Sequence, residues 1–574
     1  MTAKTAAKLG DIPAMTLKPR YEENKDGIFY IGVKAEEGKI VELPPVQLSS
    51  RFELIGRGID SGGSHYRIIQ WKDRLSRQTH TAALPMADIG VNWGWFRRLG
   101  IFITSARRNQ ERLTDYLQNN GQQTAYIVTN QSGWCSNGKA YTLPSGEVLA
   151  AESGKANVIY NGDTSQAAAY AESGSLQEWQ ENIARYMAGN SRLSLAIGTA
   201  LAAPLVSLLG MEAGGFHLFG DSRDGKSTAA RAALSVWGKP DGLMLTWAGT
   251  GIGFNNVANA RNDGLLVLDE ISQATPRHVS SAAYSVINGV SKIQGAKEGG
   301  NRDISRWRVL LLSTGEKPLD TFLAADNVDW NAGQSARLPS VPSDAGKGLG
   351  VFDTLHGHSK GSALSEAITE AAAKMHGTAG RALIRLLLNQ PAIIEEARQL
   401  QSSFMGTLPD VEGQARTVAT RFAMVAAALE LCARHGITGL PENMAFPAIK
   451  QCFDAWMERQ GIGKHEDMEI IKQAVAFMQT NGSGMRFIDW NSTHQVTNAN
   501  HAGYRLSVSD GMEYWVTPAV FESEICKGYD RRKCCIVLND AEWLKKHSDS
   551  RYTYQKKGYG RFYVFVGLVP PNYD

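Results

Sequence analysis

The chain has 574 residues, a formal net charge of +3, and 43% hydrophobic against 20% charged residues. That composition excludes a disordered, fibrous or membrane-embedded protein, and the length calls for three or four domains with ample material for a core. So small a net charge gives no global field to attract nucleic acid, so such binding has to come from local patches.

The six cysteines, Cys135, Cys432, Cys452, Cys526, Cys534 and Cys535, form no C-x-x-C pair. Their sparseness points to a reducing, cytoplasmic setting and away from a zinc cluster. Residues 1–25 read as a disordered tail, and the first 18 lack the apolar region of a secretory signal. Residues 26–165 read as an N-terminal α+β domain. Strands are expected over 29–33, 52–56 and 66–71, with Asp60-Ser-Gly-Gly-Ser64 as a hairpin turn. A helix is expected over 108–118, then strands over 125–128 and 139–143, with Gly133-Trp134 in the turn between them. No catalytic constellation occurs here. Its aromatics and the Arg107-Arg108 pair suit either a solvated surface or contact with nucleic acid or a partner.

The apolar run 195–209 contains Pro204 and is too short to cross a bilayer, so it reads as a buried helix and no membrane partner is expected. It leads into Gly215-Phe-His-Leu-Phe-Gly-Asp-Ser-Arg-Asp-Gly-Lys-Ser227, which has the strand, G-x-x-x-x-G-K-[ST] and helix order of a phosphate-binding loop. Gly220 and Gly225 let the backbone curl so that N–H groups face one anion at a helix N-terminus. Lys226 reaches the outer phosphates and Ser227 offers a hydroxyl to Mg2+. The ATP-binding set is Gly220, Asp221, Ser222, Arg223, Asp224, Gly225, Lys226, Ser227 and Thr228.

Gly264-Leu-Leu-Val-Leu-Asp-Glu270 describes a buried parallel strand whose two carboxylates emerge at its C-terminal end, where open α/β sheets bind ligands. Asp269 is the expected metal holder with Ser227, and Glu270 the residue that polarises the attacking water. A helix is expected over 280–287, then a Gly-rich basic stretch from Gly289 to Arg302. The strand 309–312 ends in Ser313-Thr314-Gly315-Glu316, where ATPases of the AAA+ class place a first sensor; Thr314 is the first choice and Ser313 the second. Arg337, in Gly333-Gln-Ser-Ala-Arg-Leu-Pro-Ser-Val-Pro342, stands where oligomeric ATPases offer an arginine to a neighbour's nucleotide, the rival reading being a structural ion pair.

Residues 166–400 are therefore read as an AAA+ ATPase core and 401–462 as a helical lid, with Arg416 as a second sensor. Residues 463–574 form a separate unit, with helices over 466–479 and 518–527. It closes on two aromatic strands joined through Lys556-Lys557-Gly558. That order suggests a winged helix whose basic hairpin is the wing, with Lys556, Lys557 and Arg561 as DNA contacts. Further positive charge comes from Lys527, Arg531, Arg532, Lys533, Lys545 and Lys546. The rival reading is a solvated hairpin in a protein–protein module.

The motifs G-x-x-x-x-G-K-S, L-L-V-L-D-E, L-L-S-T-G-E and G-Q-x-x-R-L-x-x-V-P together resemble the ATPases of prophages and mobile elements grouped as domain-of-unknown-function family 927. These are AAA+ proteins similar to minichromosome-maintenance replicative helicases. The resemblance implies a hexameric ring that moves on single-stranded or forked DNA with ATP bound between subunits, and replication proteins such as a primase as partners. It also places Lys292, Lys297 and Arg302 on a pore hairpin. In minichromosome-maintenance proteins the first sensor is an asparagine and the finger lies in S-R-F, whereas here they are Thr314 and Ala336-Arg337-Leu338. The alternative is a DNA-binding AAA+ switch (an initiator, loader or defence ATPase) that never unwinds. A metabolic P-loop kinase fits poorly with the acid pair, the later arginine and the basic C-terminal unit.

Overall fold

The computed structural model describes residues 17–37, 39–152, 154, 156–293, 295, 304–326, 328, 332–460, 465–491, 500–509, 511–547 and 551–571. The chain divides into two compact units, Met1–Trp456 and Met457–Asp574.

In the first unit, Glu53–Ile59 and His65–Lys72 pair antiparallel, and the Asp60 carboxylate accepts from the N–H groups of Gly62 and Ser64 to close the turn. They are the middle of a five-stranded sheet that also holds Thr79–Pro85, Ala125–Thr129 and Val158–Tyr160. The expected helix is Arg107–Asn119, whose Leu113, Tyr116 and Leu117 bury one stripe against this domain's core. Gly133 and Trp134 do not form a turn. They begin the strand Gly133–Cys135, which pairs with Ala140–Thr142, and the reversal falls on Ser136–Gly138, with Asn137 at φ 55°. A tryptophan prefers a pleated, half-buried surface to a turn, and here its indole N–H donates to Pro204 O across 2.7 Å.

The central sheet of this unit has five parallel strands: β1 (Gly214–Phe219), β2 (Leu245–Thr246), β3 (Gly264–Asp269), β4 (Val309–Gly315) and β5 (Ser340–Pro342). Their spatial order is β2-β3-β4-β1-β5, so β4 is inserted between the phosphate-loop strand and the acidic strand. Strands buried on both faces need apolar residues at every position, which explains the unbroken Leu runs. One face packs the helix Pro276–Asn288 against Leu266, Leu268, Val309 and Leu311. Helices Ser191–Ala202, Lys226–Ser235 and Gly413–Arg434 lie towards the other, where Phe422 meets Phe216 with ring centroids 4.8 Å apart. Ser191–Ala202 is buried along its whole length, and among the described residues no helix is long and apolar enough to cross a membrane.

The second unit is a five-stranded sheet in the order Phe487–Asp489, Gly503–Val508, Gly511–Val516, Gly560–Val566, Tyr554–Lys556. Its core joins Tyr514, Val516, Tyr563 and Phe565 to residues of the helices His465–Asn481 and Arg531–Asp540. The helix expected over 518–527 is instead a short turn, Pro518–Val520, running into a wider helical turn, Phe521–Ile525. There the Cys526 N–H reaches back to Phe521 O at 2.8 Å.

Candidate nucleotide site

β1 delivers the chain from a buried strand into the loop 220–227 at the C-terminal end of the sheet. The two fixed glycines serve different needs. Gly225 caps the helix Lys226–Ser235 at φ 86°, a conformation that L side chains avoid. Gly220 has no room for a side chain, since a Cβ there would lie 2.0 Å from Ser343 Oγ. Lys226 is buried, and its Nζ donates to the carbonyls of Gly220 (2.8 Å) and Asp221 (2.6 Å), so the loop is closed around its own ammonium. Asp221, Ser222, Arg223 and Ser227 are exposed, Asp224 and Gly225 half-buried, and Thr228 buried in the first helical turn.

A brace unseen in the sequence holds this loop from behind. Ser343 donates through its N–H to Phe219 O (2.7 Å) and through its hydroxyl to Asp224 Oδ2 (2.9 Å). The Val351 N–H donates to Asp224 O at 2.8 Å. Gly350, at φ 63°, lies so close that a Cβ would come within 2.3 Å of that carbonyl. The available signal was the run of glycines at 346, 348 and 350 just after β5.

The acids meet the loop from β3. The Ser227 hydroxyl donates to Asp269 Oδ2 at 3.1 Å. Thr314 donates to Asp269 Oδ1 and accepts from the Glu270 N–H at 2.9 Å, so one buried hydroxyl ties both acids together. Ser313 faces the other way, bonded to His217 Nδ1 (2.9 Å) and Trp247 Nε1 (3.1 Å). The alternation of strand side chains makes this choice, since neighbouring residues emerge on opposite faces. Glu270 sits in the left-handed region (φ 54°, ψ 86°), a strain of about 1–2 kcal/mol for a residue with a Cβ. It is held there by Thr314 and by Ser272, whose N–H and hydroxyl donate to Glu270 Oε1.

Ser227 and Asp269 present hard oxygen donors a few ångströms apart, as Mg2+ requires when phosphates and water complete its shell. Among the described residues no group of three or more His, Cys, Asp or Glu forms a separate metal cage.

Arg337 is not brought to this cluster. It ends the helix Ala332–Arg337, and its carbonyl lies against Gly214, the first residue of β1, at the opposite end of the strand from the loop. Its guanidinium pairs with Glu212 (2.9 Å) and donates to Asn288 Oδ1 (2.6 Å) beside a cavity of about 550 Å³ that Arg306 and Arg308 also line. Beneath it, Arg421 is wholly buried, and its pKa is pushed down to about 10 by that burial and, in smaller part, by Arg337. Arg416 is exposed five residues earlier in the same helix, and Arg421 donates to Glu212 O and Ala213 O, so this stretch too borders the Gly214 end.

Lys292 is exposed just beyond a two-stranded stem in which Val290 bridges Arg306 and the Ser291 N–H donates to Ser305 O. Lys297 and Arg302 lie outside the described residues. In the second unit, Lys556 Nζ stands 5.0 Å over the Trp490 ring, Lys557 is exposed, and Arg561 donates to Gln555.

Residues 21–306 match the family model described as Domain of unknown function (DUF927). The DUF927 match therefore takes in the N-terminal sheet, the phosphate loop and both acids, and ends inside the stem that carries Lys292, before Thr314 and Arg337. No curated protein sequence matches the chain. A solved structure titled as the SCCmec type IV Cch active helicase is similar over 96% of this chain and 97% of its own, with a TM-score of 0.70 and 18% identity. The two share a fold from end to end.

Proposed function

We propose that the chain is an ATP-dependent DNA helicase or translocase of the AAA+ class, acting as a hexameric ring for a mobile element or prophage. The observation that carries this reading is the split between the two ends of the parallel sheet. Lys226, Ser227, Asp269, Glu270 and Thr314 converge at one end, and Arg337 stands at the other. β1 has six residues, so at ~3.3 Å per residue the two ends lie roughly 20 Å apart, beyond the reach of an arginine side chain. Any triphosphate that Arg337 meets is therefore that of a second copy. The full-length likeness to a structure titled as a helicase from SCCmec supports the motor and mobile-element reading.

In this mechanism, loop N–H groups and Lys226 hold the phosphates, and Lys226 leaves the carbonyls of Gly220 and Asp221 to do so. Ser227 and Asp269 would hold Mg2+, which when bound neutralises phosphate charge. Thr314 keeps Asp269 and Glu270 in register, and Glu270 turns from Ser272 to orient the attacking water. Arg337 from the adjoining subunit stabilises charge on the transferring phosphoryl group, and Arg416 at the same end serves as a second sensor across that interface. Lys292, Lys297 and Arg302 of the basic stretch serve as the moving DNA grip, and the second unit acts as a winged-helix-like DNA-binding domain.

Strand displacement on a forked duplex tests the reading. ATP-dependent displacement that vanishes in Lys226→Ala supports it. DNA-stimulated turnover with no displacement would move the assignment to a DNA-bound switch.

A further inference from the structure

The second unit holds an aromatic cluster that its core does not use. Tyr514, Val516, Tyr563 and Phe565 point into the helices. Their strand neighbours therefore face the other side of the sheet. There Trp515 lies opposite Tyr504, and Tyr554 opposite Phe562. Trp490 stands against Tyr504 (centroids 4.5 Å), Trp515 (5.2 Å) and Tyr559 (5.3 Å) over a floor of buried Phe562. Trp490, Tyr504 and Trp515 are half-buried, and Tyr559 is 55% exposed at the hairpin turn.

The charge beside these rings is mainly positive: Trp515 Nε1 donates to Glu513 Oε2 at 3.0 Å, but that carboxylate is buried and paired with Lys545. Residues 551–561 contain Arg551, Lys556, Lys557 and Arg561 and no Asp or Glu. Among the described residues, Lys556, Lys557 and Arg561 have no carboxylate partner, and Lys556 stands over the Trp490 and Trp515 rings at 5.0 and 5.9 Å. Several other cations of this unit are matched by acids: Arg486 by Glu524, Arg531 by Glu522, Lys545 by Glu513, and Lys533 by Asp467 at 3.8 Å. Half-open aromatic faces next to unneutralised lysines suit a chain of flat rings joined by anions. A protein partner of mixed charge has no comparable fit.

We propose that this sheet face is a stacking platform for single-stranded DNA. Bases pack on Tyr559, Trp490 and Tyr504 while Lys557 and Arg561 meet phosphates, so the unit grips an unpaired strand rather than reading a duplex with its helix Arg531–Asp540. This rests on the DNA-motor reading and adds where and how the second unit holds its strand.

The test is fluorescence anisotropy of the full-length protein on fluorescein-labelled oligo(dT) and on a blunt duplex of equal length, over a range of salt. Tyr559 is exposed, so its replacement leaves the fold intact. Tyr559→Ala weakens oligo(dT) binding roughly tenfold, the size of one lost base stack, with the salt slope unchanged, and Tyr559→Phe binds as the parent does. Lys557→Ala instead lowers the salt slope by about one ion. DNA-free ATP turnover stays the same in all three variants, and duplex affinity stays the same in both Tyr559 variants. If Tyr559→Ala binds oligo(dT) within about twofold of the parent, the platform is refuted and the DNA motor stands. If the parent itself hydrolyses ATP but binds no oligonucleotide, the DNA-motor reading falls as well.

Discussion

Thr314→Val removes one hydroxyl while keeping the shape of the side chain. The residue is 1% exposed and its Oγ1 makes two bonds, one to the Asp269 carboxylate and one from the Glu270 N–H. A hydrogen bond to a charged group is worth about 1.5–3 kcal/mol and a neutral one about 1, so the fold loses roughly 3 kcal/mol. Turnover suffers more, because Glu270 is then left in a strained left-handed conformation with one of its two holders gone, and loss of one preorganised group costs about a hundredfold or more in kcat. Ser313→Ala is the matched control. It also breaks two buried bonds, to His217 and Trp247, but on the opposite face of β4. Its stability falls by about 2 kcal/mol, while its kcat stays within about threefold of the parent, less than 1 kcal/mol on the barrier. Urea unfolding and steady-state phosphate release on both variants measure the two quantities separately. Equal losses of turnover in Thr314→Val and Ser313→Ala would refute the face assignment.

Other outcomes follow from the same cluster. Lys226→Ala abolishes hydrolysis and weakens nucleotide binding, measured by phosphate release and by titration with a fluorescent ATP analogue; retained turnover contradicts the loop assignment. Glu270→Gln keeps the hydrogen bonds to Ser272 but loses the basic carboxylate, so it holds ATP through gel filtration while turnover drops at least about a hundredfold. Gly350→Ala puts a Cβ 2.3 Å from Asp224 O at φ 63°, a strain of about 1–3 kcal/mol that shifts the phosphate loop. Its KM for ATP rises while its melting temperature falls by only about a few degrees, and an unchanged KM means the brace is dispensable.

The sequence was most legible where chemistry dictates spacing. Gly220 and Gly225 fall on the tight loop that ends β1, Lys226 and Ser227 open the helix after it, and Asp269 and Glu270 end a buried strand beside that loop. The choice between Ser313 and Thr314 was less open to reading. In a strand apolar at every position from Val309 to Leu312, the two-residue alternation that would reveal the faces is hidden. The brace through Ser343 and Gly350 joins residues about 120 apart in sequence, so the glycines at 346, 348 and 350 mark a turn but not the loop it supports. Trp134 was read from its glycine neighbour as a turn, yet its burial against Pro204 was decided by the core it meets. The turn Phe521–Ile525 was misjudged in kind rather than place, since a wider helical turn has no signature in helical spacing.

In the proposed ring the loop of one copy is completed by Arg337 of another, and mixing two inactive variants puts this to the test. Lys226→Ala and Arg337→Ala are each inactive alone. Arg337→Ala still folds, because it loses only a largely exposed pair with Glu212, worth about 1 kcal/mol at most, and one hydrogen bond to Asn288, worth about 1.5–3 kcal/mol. In randomly assembled equimolar rings, an interface is intact when an Arg337→Ala subunit supplies the loop and a Lys226→Ala subunit the arginine, which is about one interface in four. Mixing the two inactive proteins therefore restores about a quarter of parental ATP hydrolysis. A mixture whose subunits co-purify yet remains as inactive as its components, or Arg337→Ala alone hydrolysing ATP at the parental rate, would contradict the account.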